Sequence, residues 1–240
     1  IHRKQKAFCC IDVGANIGDT IAAFYRKDTD RFLAIEPNPK FNKILFENWG
    51  WNKNITVVSE FCSDGAKRGE EGFLIQEKNG TASIVEESNG LKLRSRPLDE
   101  IVDNYPSVVN ADVLKIDTDG HDFEVIIGSY KLIARNHPVL LFECDDFGDS
   151  NFVQDALKTM KLLKELGYNY FLLYDNFGNL MGKYTLSDLS TFENLLFYKL
   201  ISDFCYFDIL VMKDVDISKF FKSEVEFFVG KMSDKSLQQA

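Results

Sequence analysis

Ile11-Asp12-Val13-Gly14-Ala15-Asn16-Ile17-Gly18-Asp19-Thr20 joins the end of an apolar run to a glycine-containing turn and then to the start of a helix. The residues that lead into it, Ala7-Phe8-Cys9-Cys10-Ile11, read as a fully buried parallel strand. Gly14 and Gly18 let the backbone turn tightly and approach a ligand where a side chain would intrude. Asp12 falls at the carboxyl end of the strand, where open α/β sheets bind their ligands. A second apolar strand, Phe32-Leu33-Ala34-Ile35, ends in Glu36-Pro37-Asn38-Pro39. Glu36 thus follows Asp12 at nearly the spacing, about 20 residues, used by an acidic residue that holds a ribose diol.

The turn discriminates between nucleotide cofactors. A dinucleotide pyrophosphate wants G-x-G-x-x-G against a helix N-terminus. Here the pattern is Gly14-x-x-x-Gly18, with Asp12, Asp19 and Glu36 ringing the pocket. Several carboxylates repel a pyrophosphate but suit a ligand carrying an ammonium and a sulfonium, which describes S-adenosylmethionine (SAM). An NAD-binding oxidoreductase is the rival enzyme reading, and its phosphate turn is not matched. A non-catalytic SAM-binding module is the other alternative. Taken alone the turn could merely join strand to helix, but Glu36 in register weighs against that.

A third block, Asp112-Val113-Leu114-Lys115-Ile116-Asp117-Thr118-Asp119-Gly120-His121-Asp122-Phe123-Glu124, is a strand running into an acidic turn and a helix. Pro138-Val139-Leu140-Leu141-Phe142-Glu143 supplies another strand ending in a carboxylate. Together these blocks resemble the FkbM family of SAM-dependent methyltransferases. The likeness rests on D-V-G-A-N-I-G-D-T from Asp12 to Thr20, E-P-N-P from Glu36 to Pro39, K-I-D-x-D-G from Lys115 to Gly120, and the strand ending in Glu143. It covers roughly residues 8 to 145. Asp119 stands where the family usually has Glu, and His121-Asp122-Phe123 reads as a subgroup's variant.

The resemblance implies a Rossmann-like class I methyltransferase fold: α/β, with a mostly parallel seven-stranded sheet flanked by helices and a last strand running antiparallel. It implies SAM as cofactor, and a sugar, glycan or secondary-metabolite hydroxyl as the group methylated. Carried onto this chain, the cofactor-binding set is Asp12, Gly14, Ala15, Asn16, Gly18, Asp19, Thr20, Glu36, Pro37, Asn38, Cys62, Ser63 and Asp117. The loop Glu60 to Gly65 would pass beside the adenine.

The rest of the path is alternating βα units, which favour a parallel sheet with helices on both faces. Asn38-Pro39 can open a helix carrying Phe41, Ile44, Leu45 and Trp49 on one face. Residues Ile55 to Ser59 give a third strand. A helix after Gly120 carries Phe123, Ile126, Ile127 and Tyr130, and another carries Val153, Leu157, Met160 and Leu163 before a C-cap at Gly167; both stripes read as core. Tyr168 to Tyr174 and Tyr206 to Met212 are late strands, the first followed by a turn at Asn176-Phe177-Gly178-Asn179. Between Ser63 and Asp112 short strands at Gly72 to Ile75, Gly80 to Val85 and Leu91 to Arg94 break the rhythm. The chain is therefore expected to be one domain, 1-240, with residues 66-96 as a β insertion or lid. Thr81, Ser83, Arg94 and Arg96 on it are candidates to meet an acceptor.

Methyl transfer to an alcohol calls for a base near the acceptor. His121 is the first candidate, because it follows a strand's carboxyl end and titrates near neutral pH. Asp117 competes for the role, and Glu143 could orient or deprotonate the hydroxyl. Lys115 needs a partner if buried, and Glu143 on the neighbouring strand is the expected one. Asp117, Asp145 and Asp146 suggest a Mg²⁺ set by residue type, though the sequence assigns no metal.

The formal charge of −9 disfavours a nucleic-acid partner, since phosphate contacts need a basic face. No apolar run reaches the roughly 20 residues of a membrane span, and no signal peptide is recognised. Cys9, Cys10, Cys62, Cys144 and Cys205 form no C-x-x-C pair and, being odd in number, cannot all be bridged within the chain. That usage points to a reduced, cytoplasmic setting. The chain starts at Ile1, so an upstream segment is allowed for. The apolar residues Phe220, Phe221, Val225, Phe227 and Phe228 leave a homo-oligomer open.

Overall fold

The computed structural model describes residues 7–65, 69–78, 81–86, 91–202 and 205–238, with side chains described outside 69–94 and 232–238. The chain divides into two compact units, His2–Glu143 and Cys144–Ala240.

In the first unit, strands β1 (Cys9–Val13), β2 (Arg31–Ile35) and β3 (Ile55–Val58) alternate with helices α1 (Asp19–Phe24) and α2 (Pro39–Trp49). Strand β4 (Phe61–Ser63) leads into β5 (Gly69–Lys78), β6 (Thr81–Glu86) and β7 (Leu91–Pro97), followed by α3 (Leu98–Val102). Then come β8 (Val113–Ile116), α4 (Asp122–Ile127), α5 (Tyr130–Asn136) and β9 (Val139–Cys144). The main sheet runs β9-β8-β1-β2-β3 with every pair parallel. All five residues of β1 are buried between parallel neighbours, the carboxylate Asp12 included. Phe8, Cys10, Ile21, Phe32, Leu45 and Ile55 pack into one apolar cluster that holds α1 and α2 on this sheet.

Helix α2 starts as its sequence dictates. The Asn38 side chain accepts from the N–H groups of Lys40 at 2.9 Å and Phe41 at 3.4 Å, with Pro39 in the first turn. Phe41 and Leu45 are its buried residues. The residues expected as a loop beside the adenine instead include β4, which pairs in parallel with β7 in a second sheet ordered β4-β7-β5-β6. The insertion's expected strands, apart from Gly80, fall within β5, β6 and β7, while residues 66–68, 79–80 and 87–90 of it lie outside the described residues.

One helix expected after Gly120 is two. Gly128 stands between them as the C-cap of α4, and a Cβ there would lie 2.0 Å from the Ser63 carbonyl oxygen, so the position requires glycine. The stripe is broken with it: Val125 and Ile126 are buried, but Tyr130 is half exposed.

The second unit contains α6 (Phe152–Glu165), β10 (Tyr170–Asp175), β11 (Leu180–Thr185), α7 (Ser190–Leu200), β12 (Phe207–Val211) and α8 (Asp214–Gln238). Strand β10 pairs antiparallel with both β11 and β12. The mostly parallel α/β class is as expected. The strand count differs by one, because the turn at Asn176 to Asn179 returns as β11, which the sequence left unassigned. Gly167 follows α6 with φ of 92°, in keeping with a left-handed cap. In α6 the buried residues are Phe152, Ala156, Thr159, Met160 and Leu163, so only Met160 and Leu163 of the expected stripe are fully inside. In α8 Phe227 and Val229 are more than half exposed, and the Lys231 ammonium sits 4.3 Å from the Phe227 ring centre. No helix among the described residues is long and apolar enough to cross a membrane.

Candidate active site

The glycine turn is fastened to the neighbouring strand. The Ile35 carbonyl accepts the N–H groups of Gly14 at 2.9 Å and Ala15 at 3.0 Å, and Gly18 N–H closes the turn onto the Ala15 carbonyl at 2.8 Å. Gly14 has φ of 78°, and a Cβ there would lie 1.8 Å from the Asp117 carbonyl oxygen. Glycine is thus required twice over, by conformation and by the approach of the turn after β8. Asn16 also takes a left-handed φ of 47°, a conformation Asn tolerates, and this turns its N–H onto Glu36.

Glu36 is anchored from both sides. Its Oε2 accepts the Asn16 N–H at 2.8 Å and its Oε1 the Asn38 N–H at 2.9 Å. Burial pushes its carboxyl up, the two N–H bonds pull it down, and the charges of Asp119 and Asp12 push it further up. Asn42 locks the same corner, its side-chain amide donating to the Glu36 carbonyl at 2.9 Å and the Val58 carbonyl at 3.1 Å. Nothing in the sequence reading singled out Asn42; it sits one turn beyond the cap, a position from which an amide can reach back to two strand ends.

These groups open on a cavity of about 320 Å³. Of the expected cofactor residues, Gly14, Asn16, Asp19, Glu36, Pro37, Asn38, Cys62 and Asp117 line it. Asp12, Ala15, Gly18, Thr20 and Ser63 stand behind the lining: all are buried, and Ser63 accepts a 2.6 Å hydrogen bond from the Ser95 hydroxyl. Ile17, Phe41, Glu60, Phe61, Lys115, Thr118 and Asp119 line the cavity without having been assigned to it. Phe61 and Glu60 were within reach of the sequence argument, because they immediately precede Cys62 in the loop placed beside the cofactor, and all three line the cavity.

Lys115 is the centre of the site's electrostatics. Strand register sets Asp12 beside it, and its Nζ lies 3.3 Å from Asp12 Oδ1 and 3.0 Å from Asp117 Oδ2. Asp12 and Asp117 hold this ammonium, where the sequence pointed to Glu143. Burial disfavours the Lys115 charge, but the two carboxylates outweigh it and push its pKa up. Asp12 is 0 % exposed; burial raises its carboxyl, while the Lys115 ammonium and the Thr20 hydroxyl pull the other way.

The three candidates for proton transfer separate. Asp117 lines the cavity with its side chain half exposed. His121 is not among the lining residues: it precedes α4, packs edge-on to Phe61 at 5.0 Å and sits 3.5 Å from Glu124 Oε2. Glu143 is not in the lining either, and its N–H donates to Asp122 Oδ1 at 3.0 Å. Asp122 Oδ2 meanwhile accepts from the Thr118 N–H at 3.0 Å and the Thr118 hydroxyl at 2.7 Å. One buried carboxylate therefore ties the turn after β8 to the end of β9.

Burial pushes the Asp122 carboxyl up to about 6, against the pull of its Thr118 and Glu143 bonds. The folded pKa then exceeds the unfolded one, so the folded protein binds the extra proton, and this contribution to stability is lost as pH rises through about 6. Urea unfolding of the wild type should show about 1 kcal/mol more stability near pH 5 than near pH 7 from this group. The Asp122→Asn variant should lack that increment, whatever its absolute stability.

The insertion's acceptor candidates are partly accounted for. Arg96 makes a paired contact with Glu60 at 2.9 and 3.0 Å and so fixes a cavity-lining carboxylate. The side chains of Thr81, Ser83 and Arg94 lie outside the described residues. The suggested Mg²⁺ set is replaced by an ion pair: Asp145 and Asp146 both hold the Lys199 ammonium. No group of three or more metal-binding side chains occurs among the described residues. All five cysteines are free thiols, and burial pushes Cys9 up to about 12, which makes it a poor nucleophile.

A mostly parallel sheet whose first strand ends in a Gly14-x-x-x-Gly18 turn in place of the dinucleotide G-x-G-x-x-G, with an anchored acidic residue at the end of the second, is the architecture of the class I SAM-dependent methyltransferases. The chain belongs to the FkbM family: the model described as "Methyltransferase FkbM domain" matches residues 12–170. Among solved structures it is similar to the methyltransferase FkbM from Methylobacillus flagellatus KT, at 18% identity and a TM-score of 0.46 over 72% of this chain and 41% of that one. The precorrin-6y C5,15-methyltransferase from Geobacter metallireducens GS-15 shows 14% identity and a TM-score of 0.45, with coverage of 88% and 83%. Fibrillarin from Aeropyrum pernix, solved with natively bound S-adenosyl-L-methionine, shows 11% identity and a TM-score of 0.45, with coverage of 86% and 67%. The chain thus spans less than half the length of the Methylobacillus protein. No curated protein matches it.

Proposed function

We propose that this chain binds SAM in the Gly14–Glu36–Asp117 cavity and transfers its methyl group to a hydroxyl of a sugar, glycan or secondary metabolite. The observation that carries the reading is the charge of the lining: Asp19, Glu36, Glu60, Asp117 and Asp119 face it against one ammonium, Lys115. Such a surface suits a cationic ligand and opposes a pyrophosphate. Glu36 retains lone pairs for a diol beyond the two N–H groups it already accepts. When bound, SAM supplies an electrophilic methyl group on a sulfonium.

The chain's own part is to hold the acceptor in line and take its proton. Asp117 is the residue offered for that proton, because it alone of the three candidates lines the cavity. His121 and Glu143 are then positioning residues, acting through Phe61 and through the Asp122 network. The chain is taken as one methyltransferase domain over residues 1-240, with 66-96 as its β insertion, and its unbridged cysteines support a cytoplasmic setting.

Labelled methyl transfer to a panel of hydroxylated acceptors tests this. Asp117→Asn should lower turnover by about 10²-fold or more, the usual scale of a proton-transfer group, a larger factor than the loss of SAM affinity caused by removing one of the five lining carboxylates. A His121→Ala enzyme that loses as much turnover at unchanged SAM affinity would move the role to His121.

A further inference from the structure

The second unit contains a cavity of its own, about 390 Å³, that the proposed chemistry does not use. We infer that it is a binding site for a neutral, polyhydroxylated ligand, held by Asp145, Asp146, Asn176 and Lys199 beside Phe147 and Tyr206, which also line it. Its volume lies in the range of small-ligand sites, roughly 300–1,000 Å³.

The polar groups are fixed rather than adaptable. Lys199 on α7 is 7% exposed, and its ammonium is held by both aspartates and lies 5.7 Å from the Phe152 ring centre. An ammonium carries three N–H donors, so two committed bonds leave one for a ligand. Asp146 N–H donates to Asp145 Oδ1 at 2.8 Å, which orients that carboxylate. Asn176 rides on a turn pinned by Asp175, whose Oδ1 accepts from the Phe177 and Asn179 N–H groups at 2.9 and 2.8 Å.

The chemistry selects the ligand class. Two carboxylates against one ammonium leave a net negative charge, which rejects phosphates, sulfates and carboxylates, and the Lys199 ammonium already fills the place between the aspartates that a cationic ligand would take. Carboxylate oxygens left with free lone pairs ask for O–H donors, and the Lys199 and Asn176 N–H groups ask for oxygen acceptors. A carbon frame with several neutral hydroxyls answers both at once. Phe147 supplies apolar surface for its C–H face: the residue is held at φ of 43° and leaves its ring half exposed at the cavity. A left-handed non-glycine residue costs about 1–2 kcal/mol, and strain of that kind collects at ligand sites.

The site stands without the methyl-transfer reading; only calling its ligand an acceptor rests on that reading. Saturation-transfer NMR with a panel of neutral mono- and oligosaccharides tests it, on wild type, Asn176→Ala and Phe147→Ala, each checked for an unchanged melting temperature. Both substitutions fall on exposed or half-exposed turn residues, so folding should survive. A sugar that binds the wild type and loses at least about tenfold affinity in both variants supports the assignment. A panel in which no sugar binds, or binding that survives both substitutions, overturns it. SAM is titrated in the same samples: loss of SAM binding alone counts against methyl transfer and leaves this site standing.

Discussion

Replacing Lys115 by Met should cost about 3–5 kcal/mol of folding free energy, the scale seen when one partner of a buried ion pair is removed. The two halves of the pair are unequal. Asp117 is half exposed, so its contact is worth at most about 1 kcal/mol. Asp12 is 0 % exposed at the end of a central strand, and without the ammonium its carboxylate is a buried charge with no counterion. Met keeps the length of the stem and so isolates the charge from the packing. Two further measurements follow from the same cause. The double variant Asp12→Asn/Lys115→Met should recover most of the loss, because no uncompensated charge remains. In Lys115→Met burial and the Asp117 charge both push the Asp12 carboxyl up, with only the Thr20 hydroxyl pulling it down, so its folded pKa stays above the unfolded value. The deficit should therefore shrink as pH falls from about 7 toward about 5. A deficit that is independent of pH and unrelieved by Asp12→Asn would mean that packing, and not charge, governs this position.

Glu36→Gln should weaken SAM by about 10- to 100-fold, since hydrogen bonds to a charged group are worth about 1.5–3 kcal/mol each. The substitution keeps shape but not chemistry. Two N–H groups, from Asn16 and Asn38, converge on the two carboxylate oxygens, and an amide can satisfy only one of them. The same change removes a negative charge facing a cationic ligand. The glycine turn should keep its fold, because Gly14 and Ala15 remain fastened to the Ile35 carbonyl. Isothermal titration beside a melting curve separates the two effects: the titration reads the roughly 10- to 100-fold loss of affinity, and the melting curve reads the cost, about 1–3 kcal/mol, of the N–H left unpaired.

Much of this site could be read from the sequence, for identifiable reasons. The turn at Gly14 and the acid at Glu36 are local signals, set by strand ends and short spacing, and the structure joins them through Ile35. The cap at Asn38 is equally local. Lys115 was misassigned because its partner depends on strand order: a β9 neighbour was expected to hold it, whereas register with β1 sets Asp12 beside it. Gly128 was invisible for a similar reason, its constraint being the Ser63 carbonyl on a distant strand. Strand β4 was hidden because three residues carry no period of their own, and β11 because its alternation is weak and none of its residues is fully buried. Asp145, Asp146 and Lys199 show the same limit, since residue types alone suggested a metal where a lysine from α7 stands.

The most direct measurement is calorimetric titration of the purified protein with SAM, S-adenosylhomocysteine and NAD, repeated on Glu36→Gln. The account predicts roughly micromolar binding of SAM or its demethylated product, about −8 kcal/mol, weakened by the substitution, and no binding of NAD. Binding of NAD without SAM, or SAM binding indifferent to Glu36, would contradict it.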